Sequence, residues 1–197
     1  MNTFSLKRFF HSTGIHRSSF ILAVILTLLL LLPFRAVGIP EMFTAVQERD
    51  CQKVKELIRL DPRMVDARSV YGSSPLHWAV EIGDVMMVKM LLECGADVNR
   101  KTTDGTTPMM IAAHSGNFEI VEMLNLPGIE LNAKTRRGWT ALHYAASSGC
   151  CETTEFLMLR GAEVNGRTKN GTTPLSIARV NNRQDAVSLI KAYGGIE

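Results

Sequence analysis

The side chains that could do chemistry in this sequence are a vicinal cysteine pair and three histidines. Cys150 and Cys151 are adjacent, and two neighbouring thiols are the composition of a redox site. His77, His114 and His143 could act as acids or bases. However, His77 and His143 lie in a recurring helix-capping segment, which explains them, and we expect His114 to lie exposed in a loop between two helices. The cysteine spacings do not suit a zinc site, and we expect no catalysis, metal or cofactor.

These residues are positioned by a repeat of 33 residues, at which glycine, alanine and leucine each recur. The positions are Gly72, Gly105, Gly138 and Gly171; Ala79, Ala112, Ala145 and Ala178; and Leu91, Leu124 and Leu157, with Ile190 in the last unit. Self-similarity at a fixed period in this range predicts a stack of similar structural units.

The unit at 70–102 shows what each repeat contains. Ser74 is a good N-cap, Pro75 then falls at the first helical position, and Gly83 stops this first helix. A second helix follows on an apolar stripe of Val85, Val88, Leu91 and Leu92. Two helices this short cannot bury a stripe alone, so we expect each pair to pack on its neighbours in one continuous core.

The first helix of each unit after 39–69 carries a short motif, which the unit at 39–69 lacks. The motifs are SPLHWA at Ser74–Ala79, TPMMIAA at Thr107–Ala113, TALHYAA at Thr140–Ala146 and TPLSIA at Thr173–Ala178, with GADVN at Gly95–Asn99 and GAEVN at Gly161–Asn165. Over about residues 41 to 197 the chain resembles the ankyrin repeat family. The resemblance implies an all-α repeat solenoid, an ankyrin stack of five helix-turn-helix units with β-hairpin fingers. We expect an ankyrin repeat domain at 39–197, with repeats at 39–69, 70–102, 103–135, 136–168 and 169–197.

An asparagine also recurs after each second helix. The residues are Asn99, Asn132 and Asn165, with Asp66 in the first unit. Because Asx side chains can bond neighbouring turn backbone, we interpret this row as structural.

Residues 1–38 differ from the rest of the chain. Basic residues precede an unbroken apolar run from Phe20 to Leu32, and small residues stand before Gly38. This pattern is typical of a secretory signal peptide and predicts cleavage after Gly38. A helix of 13 residues reaches only about 20 Å at 1.5 Å per residue, which is short of the roughly 30 Å hydrocarbon core of a bilayer.

The alternative is an uncleaved signal anchor, in which residues 20–34 stay in the membrane. In both cases the charge bias places the repeats outside the cytoplasm. We therefore expect a small exported protein of bacterial type, periplasmic or secreted; in the alternative it is anchored in the inner membrane with its repeats outside the cytoplasm. A mitochondrial presequence ranks third, because it would be amphipathic rather than solidly apolar.

The net charge gives no support to nucleic-acid binding. The chain has 22 Lys and Arg against 19 Asp and Glu, but four of the basic residues and none of the acidic ones lie in residues 1–38. Residues 39–197 therefore carry a formal charge of about −1, whereas nucleic-acid-binding domains are typically basic. We expect a monomer whose partner is another protein, and which reaches a membrane only through its N-terminal segment.

The family resemblance implies a concave face, formed by the fingers and the first helices of the units. It implies that variable residues on this face contact the partner; Glu81 and Ile82 are two such positions on the first helix of the second repeat. We assign partner binding to Tyr71, Asp104, Arg136, Arg137, Trp139 and Lys169. A tryptophan beside two arginines has the composition of an interface hot spot. The alternative is that Trp139 folds over its own finger, stacked on Arg137.

A row of basic residues follows the same 33-residue interval. The residues are Arg68, Lys101, Lys134 and Arg167. At about 10 Å per stacked helix pair, this electrostatic stripe would attract an acidic surface of the partner. The alternative is that these residues only solvate the turns.

Together these features predict an exported protein that binds another protein and has no catalysis of its own. Two other hypotheses remain open. One is a membrane-anchored scaffold retained by residues 20–34, and the other is a thiol-redox or stress protein that uses Cys150 and Cys151.

Overall fold

Ten α-helices form five consecutive pairs in residues 38–197, the part of the chain that the computed structural model describes. The helices are α1 Gly38–Gln47, α2 Cys51–Leu60, α3 Pro75–Ile82, α4 Val85–Glu93, α5 Pro108–Ser115, α6 Phe118–Leu124, α7 Ala141–Ser148, α8 Cys151–Leu159, α9 Pro174–Val180 and α10 Gln184–Ala192, with a 3₁₀ helix at Pro62–Asp66. None of these helices is long and apolar enough to cross a membrane. The signal peptide or anchor predicted for residues 1–38 lies, apart from Gly38, outside the described residues.

The first helix of each pair, which we call the inner helix, begins at a hydroxyl N-cap. In α3 the side chain of Ser74 accepts a hydrogen bond from the amide of His77, and Pro75 occupies the first helical position. Gly83 ends α3 with φ of 72°, in the left-handed region that glycine adopts without strain. The predicted start and end of this helix are confirmed. Asn182 makes the equivalent turn after α9 with φ of 57°, a conformation that asparagine tolerates better than most residues.

The repeating apolar residues form the core. The alanines of the inner helices and the leucines of the second, outer helices are fully buried, and so is Ile190 at the end of the row. In the first pair, which lacks the motif, Met42 and Val46 of α1 and Val54 of α2 are fully buried as well. Small alanines let the inner helices α3, α5, α7 and α9 approach closely, and the outer helices α4, α6, α8 and α10 pack on one another in order. The predicted continuous core across helix pairs is therefore present.

The segments between helix pairs are turns, and no strand is present in residues 38–197. We expected β-hairpin fingers there. In the second unit the amide of Ser69 donates to the carbonyl of Ser73 (2.9 Å), and the amide of Gly72 donates back to Ser69 (2.9 Å). These two bonds close a tight turn, but its arms are too short to form a ladder of strand hydrogen bonds. We call these turns fingers.

The asparagine row ties each turn to the following one. The side chain of Asn99 donates to the carbonyl of Gly128 (2.8 Å) and accepts from the amide of Glu130 (2.8 Å). Asn132 and Asn165 make the same pair of bonds one unit further on. The structural interpretation of this row is confirmed, because both hydrogen-bonding ends of each amide are satisfied by backbone.

Candidate functional site

The two motif histidines connect consecutive units. The backbone amide of Ser74 donates to Nδ1 of His77 (3.1 Å), and Nε2 of His77 lies 3.1 Å from the carbonyl oxygen of Thr106. An amide can only donate, so Nδ1 is unprotonated and Nε2 carries the proton that it donates to Thr106. His143 repeats this geometry with Thr140 and Thr172.

Burial lowers the pKa of both His77 and His143, despite the opposing effect of their hydrogen bonds to carbonyl oxygens. Both rings are therefore neutral at pH 7, and both nitrogens of each ring are already hydrogen-bonded. The predicted capping role is confirmed, and the rings have no free nitrogen for acid–base catalysis.

The vicinal cysteines lie in different surroundings. Burial raises the pKa of the Cys151 thiol, and the nearby Asp185 adds to the rise. Cys150 packs against Gly116, with its Sγ so close to the position that a β-carbon on that glycine would take that the two would clash. All four cysteines are free thiols. A raised pKa leaves little thiolate on Cys151 at neutral pH.

The predicted partner-binding residues of the fingers lie in one row. The amide of Arg136 donates to the carbonyl of Asp104 (2.7 Å), and the amide of Lys169 donates to the carbonyl of Arg137 (2.9 Å). The amide of Thr103 bonds Tyr71 in the same way (3.0 Å). Consecutive finger tips are thus joined by single backbone hydrogen bonds, and this joining brings the predicted residues of the second to fifth units together.

Charge changes sign along this row of tips. Hydrogen bonds from the hydroxyls of Thr102 and Thr106 lower the pKa of Asp104, which keeps its exposed carboxylate ionised. The exposed cations Arg136, Arg137 and Lys169 make no side-chain ion pair with any described residue. The row is therefore anionic at the third finger and cationic at the fourth and fifth.

Trp139 lies folded onto its own inner helix. Its ring centroid is 5.0 Å from that of Tyr144 and 6.0 Å from that of His143. Tyr144 also contacts the exposed His114 edge-on, at 5.9 Å; His114 lies in the last turn of α5, not in a loop as expected. The expected alternative was that Trp139 stacks on Arg137. In the structure its ring packs on the aromatic rings of Tyr144 and His143 instead. The half-buried indole keeps part of its surface open beside the cationic tips.

The electrostatic stripe is largely engaged within the protein. Lys101 pairs with Glu130 (2.6 Å) and Lys134 pairs with Glu163 (3.3 Å). In each case the acid belongs to the following unit and lies in the turn after its outer helix. Arg68 and Arg167 donate to backbone carbonyls. The charges of the two lysines are therefore already compensated by carboxylates of this protein. This weakens the attraction that the stripe could exert on an acidic partner surface.

A cavity of about 410 Å³ lies between the second finger and the inner helices α1, α3 and α5. Tyr71, Trp78, Glu81 and Ile111 are among its lining residues. Sequence reasoning missed Trp78 because it reads as one more apolar residue of the helix motif. A usable signal existed, since Trp78, Ile111, Tyr144 and Ile177 recur at the 33-residue interval on the side of the inner helices that faces the fingers.

Comparison with known proteins gives one family and short matches to its members. The family model for ankyrin repeats (3 copies) matches residues 42–135 and 125–197. The chain is 37% identical over 62 residues, 32% of its length, to the ankyrin repeat and SAM domain-containing protein 6 of Danio rerio. It is 50% identical over 40 residues, 20% of its length, to the putative ankyrin repeat protein FPV244 of Fowlpox virus (strain NVSL). The matches span only 8% and 6% of those two proteins.

Proposed function

The chain belongs to the ankyrin repeat family, whose repeats generally mediate protein–protein interaction and are typically non-catalytic, and from that premise we propose that it binds a partner protein. The five helix pairs are taken as five repeats. The partner contacts the finger–helix face, which we define as the finger tips together with the exposed sides of α3, α5, α7 and α9. In an ankyrin stack this is the concave side.

The observation that carries the proposal is the set of uncompensated cations at the fourth and fifth finger tips. Arg136, Arg137 and Lys169 are exposed beside the half-buried ring of Trp139. Arginine and tryptophan are enriched among residues that dominate interface energetics. The lysines of the stripe, in contrast, already have carboxylate partners, so they contribute less to an encounter with an acidic partner surface.

Export remains part of the proposal. The basic leader followed by an apolar run supports either cleavage after Gly38 or retention of residues 20–34 as an anchor. The intact mass of the native protein from fractionated cells distinguishes the two. A mass that begins at Ile39 in the soluble exported fraction supports a free binding protein, and a full-length mass in the membrane fraction supports an anchored scaffold. A full-length mass in the soluble cytoplasmic fraction contradicts both.

The binding site is tested with a charge-reversal variant of the full chain. Arg136→Glu with Arg137→Glu should lower recovery of chemically crosslinked partners at least about tenfold, since like charges at an interface suppress association. Both side chains are exposed, so the melting temperature should not change. The matched control is Lys89→Glu with Lys191→Glu, which makes the same charge change on exposed residues of the outer helices α4 and α10.

Equal recovery with both double variants would show that the finger–helix face is not the binding site. Trp139→Ala is a less clean test, because its ring packs on Tyr144 and its loss is expected to lower stability as well as binding.

A further inference from the structure

The cavity at the second finger has a rigid aromatic wall. Trp78 is half-buried, and its ring packs on Phe43 of α1 with the centroids 5.2 Å apart. Tyr71 stands at the mouth of the cavity, 74% exposed. The volume of about 410 Å³ lies within the range of pockets that hold ligands. The cavity therefore offers two aromatic surfaces, of which Trp78 is held by Phe43 and Tyr71 is exposed at the mouth.

One lining residue carries a charge at neutral pH. Glu81 is exposed and makes no hydrogen bond or ion pair with any described residue. The remaining polar lining consists of the amide of Gln47, the hydroxyl groups of Ser73 and Tyr71, and the neutral ring of His77. Glu81 is therefore the one charged side chain among the lining residues. The nearby guanidinium of Arg49, which donates to the carbonyl of Ile82 (3.4 Å), is itself paired with Asp84.

A carboxylate beside aromatic faces is the chemistry that recognises a cation. Ring faces attract ammonium and guanidinium groups through their quadrupole, and a carboxylate adds a charge-assisted hydrogen bond. An anionic or wholly apolar occupant would leave Glu81 unpaired and desolvated, which is unfavourable. The cavity is complementary to a lysine or arginine side chain carried by a polypeptide.

We propose that this cavity binds a basic side chain of the partner, a claim that rests on the proposed function and specifies the polarity of the partner segment. The cationic tips Arg136, Arg137 and Lys169 would then face an acidic part of the same segment. The cavity belongs to the second unit and these tips to the fourth and fifth. At about 10 Å per unit they are roughly 20 to 30 Å apart, which an extended chain at about 3.3 Å per residue spans with about six to nine residues.

The partner segment is thus bipolar: a lysine or arginine at one end, and acidic residues about six to nine positions away. This differs from a uniformly acidic partner, which the basic row alone would favour. Glu81 in the second unit would repel such a partner, whereas it attracts the basic end of a bipolar one.

The test uses the full chain and fluorescently labelled peptides. One peptide carries Lys and, after seven uncharged residues, two Glu; a second has the order reversed; a third has Gln in place of Lys. Fluorescence anisotropy should show binding of one lysine peptide, and about tenfold weaker binding of the Gln peptide, the size expected for one lost charge-assisted contact. Glu81→Gln should abolish this preference for Lys, and Tyr71→Ala should reduce it. Glu122→Gln, an exposed acid of the outer helix α6, is the matched control and should leave it unchanged.

Absence of binding by both lysine peptides, equal binding of the Gln peptide, or an undiminished preference in Glu81→Gln would each overturn the proposal. These failures are distinguishable from failure of the proposed function. If the cavity has no role in binding but the face binds a partner, Arg136→Glu with Arg137→Glu still lowers partner recovery at least about tenfold, while Glu81→Gln leaves it unchanged. If neither variant affects recovery, the proposed function itself is wrong.

Discussion

His143 donates a hydrogen bond from Nε2 to the carbonyl of Thr172, 3.3 Å away and 29 residues along the chain. His77 makes the same bond to Thr106, at 3.1 Å. Each ring caps its own inner helix through Nδ1 and holds the next finger through Nε2. The third unit has Met110 at this position, and a methionine cannot donate. The stack therefore has two such imidazole bridges, which fix the second unit to the third and the fourth to the fifth.

Acidification should weaken the fold through these bridges. Burial lowers the pKa of both histidines in the folded chain, whereas in the unfolded chain it returns to about 6.5. The bridges therefore contribute their full stability above pH 6.5, and that contribution falls as the pH drops toward the lowered folded pKa, because the unfolded state binds more protons. Each histidine can change the free energy of unfolding by at most about 1.4 kcal/mol per pH unit. Urea denaturation at pH 7.5 and pH 5.5 measures the change.

The control for this prediction comes from the chain itself. His77→Met with His143→Met copies the residue that the third unit already accommodates. This variant should be less stable at pH 7.5, and it should lose less stability between pH 7.5 and pH 5.5 than the original chain. An identical loss in both proteins would show that other groups cause the pH dependence.

Thr154→Val should stabilise the protein. The side chain of Thr154 is fully buried in α8, and its hydroxyl has no hydrogen-bond partner. The equivalent residues Val88, Val121 and Val187 of the other outer helices are valines, which have nearly the same shape. Removing an unsatisfied buried hydroxyl should raise the free energy of unfolding by about 1 to 2 kcal/mol, measurable as a higher denaturation midpoint.

Thr173→Val is the contrasting change, because the hydroxyl of Thr173 accepts from the amide of Ser176 and donates to the carbonyl of Ile196. Loss of this N-cap should cost about 1 kcal/mol. If both threonine variants shift stability in the same direction, the hydrogen-bond explanation fails.

Gly138→Ala should destabilise the chain more than Gly171→Ala. Both glycines have positive φ, 82° and 77°, so alanine is strained at either site. At Gly138 a β-carbon would also lie 2.8 Å from the amide nitrogen of Lys169, whereas at Gly171 nothing lies within 4 Å. We expect a loss of about 1 kcal/mol at Gly171, from strain alone, and a larger loss at Gly138. Thermal unfolding of the two variants separates the effects, and equal losses would argue that the fingers do not pack this closely.

Neutralising the paired lysines should have little effect on binding. Lys101→Gln and Lys134→Gln each remove one half of a partly exposed ion pair, which contributes less than about 1 kcal/mol to stability. Because their charge is already compensated, partner recovery should fall by less than about threefold, compared with at least about tenfold for Arg136→Glu with Arg137→Glu. A large loss with the lysine variants would restore the stripe as a binding feature.

The 33-residue period was sufficient to predict the helix pairs, since Ser74, Pro75 and Gly83 specify the ends of a helix through local backbone chemistry. The asparagine bonds followed from the same logic. The pairing of the cation stripe was not predicted, although Glu130 and Glu163 recur at the same 33-residue interval as Lys101 and Lys134. Likewise, a binding role for Trp78 could not be predicted from the sequence, because it depends on the cavity that Trp78 lines together with Tyr71 and Ile111. The period thus shows which residues recur, whereas which of them meet across units depends on how the units pack.

The hydrogen bonds that join successive finger tips have a consequence for the entropy of association. The amides of Thr103, Arg136 and Lys169 are each bonded to the preceding finger, so the backbone that presents the charged tips is already ordered before any partner arrives. Fixing the backbone of a free residue costs about 1 to 2 kcal/mol of conformational entropy. For these tips the backbone is fixed on folding, so binding does not carry this cost. A partner therefore has to immobilise only the side chains of these tips, at about 0.5 to 1.5 kcal/mol each.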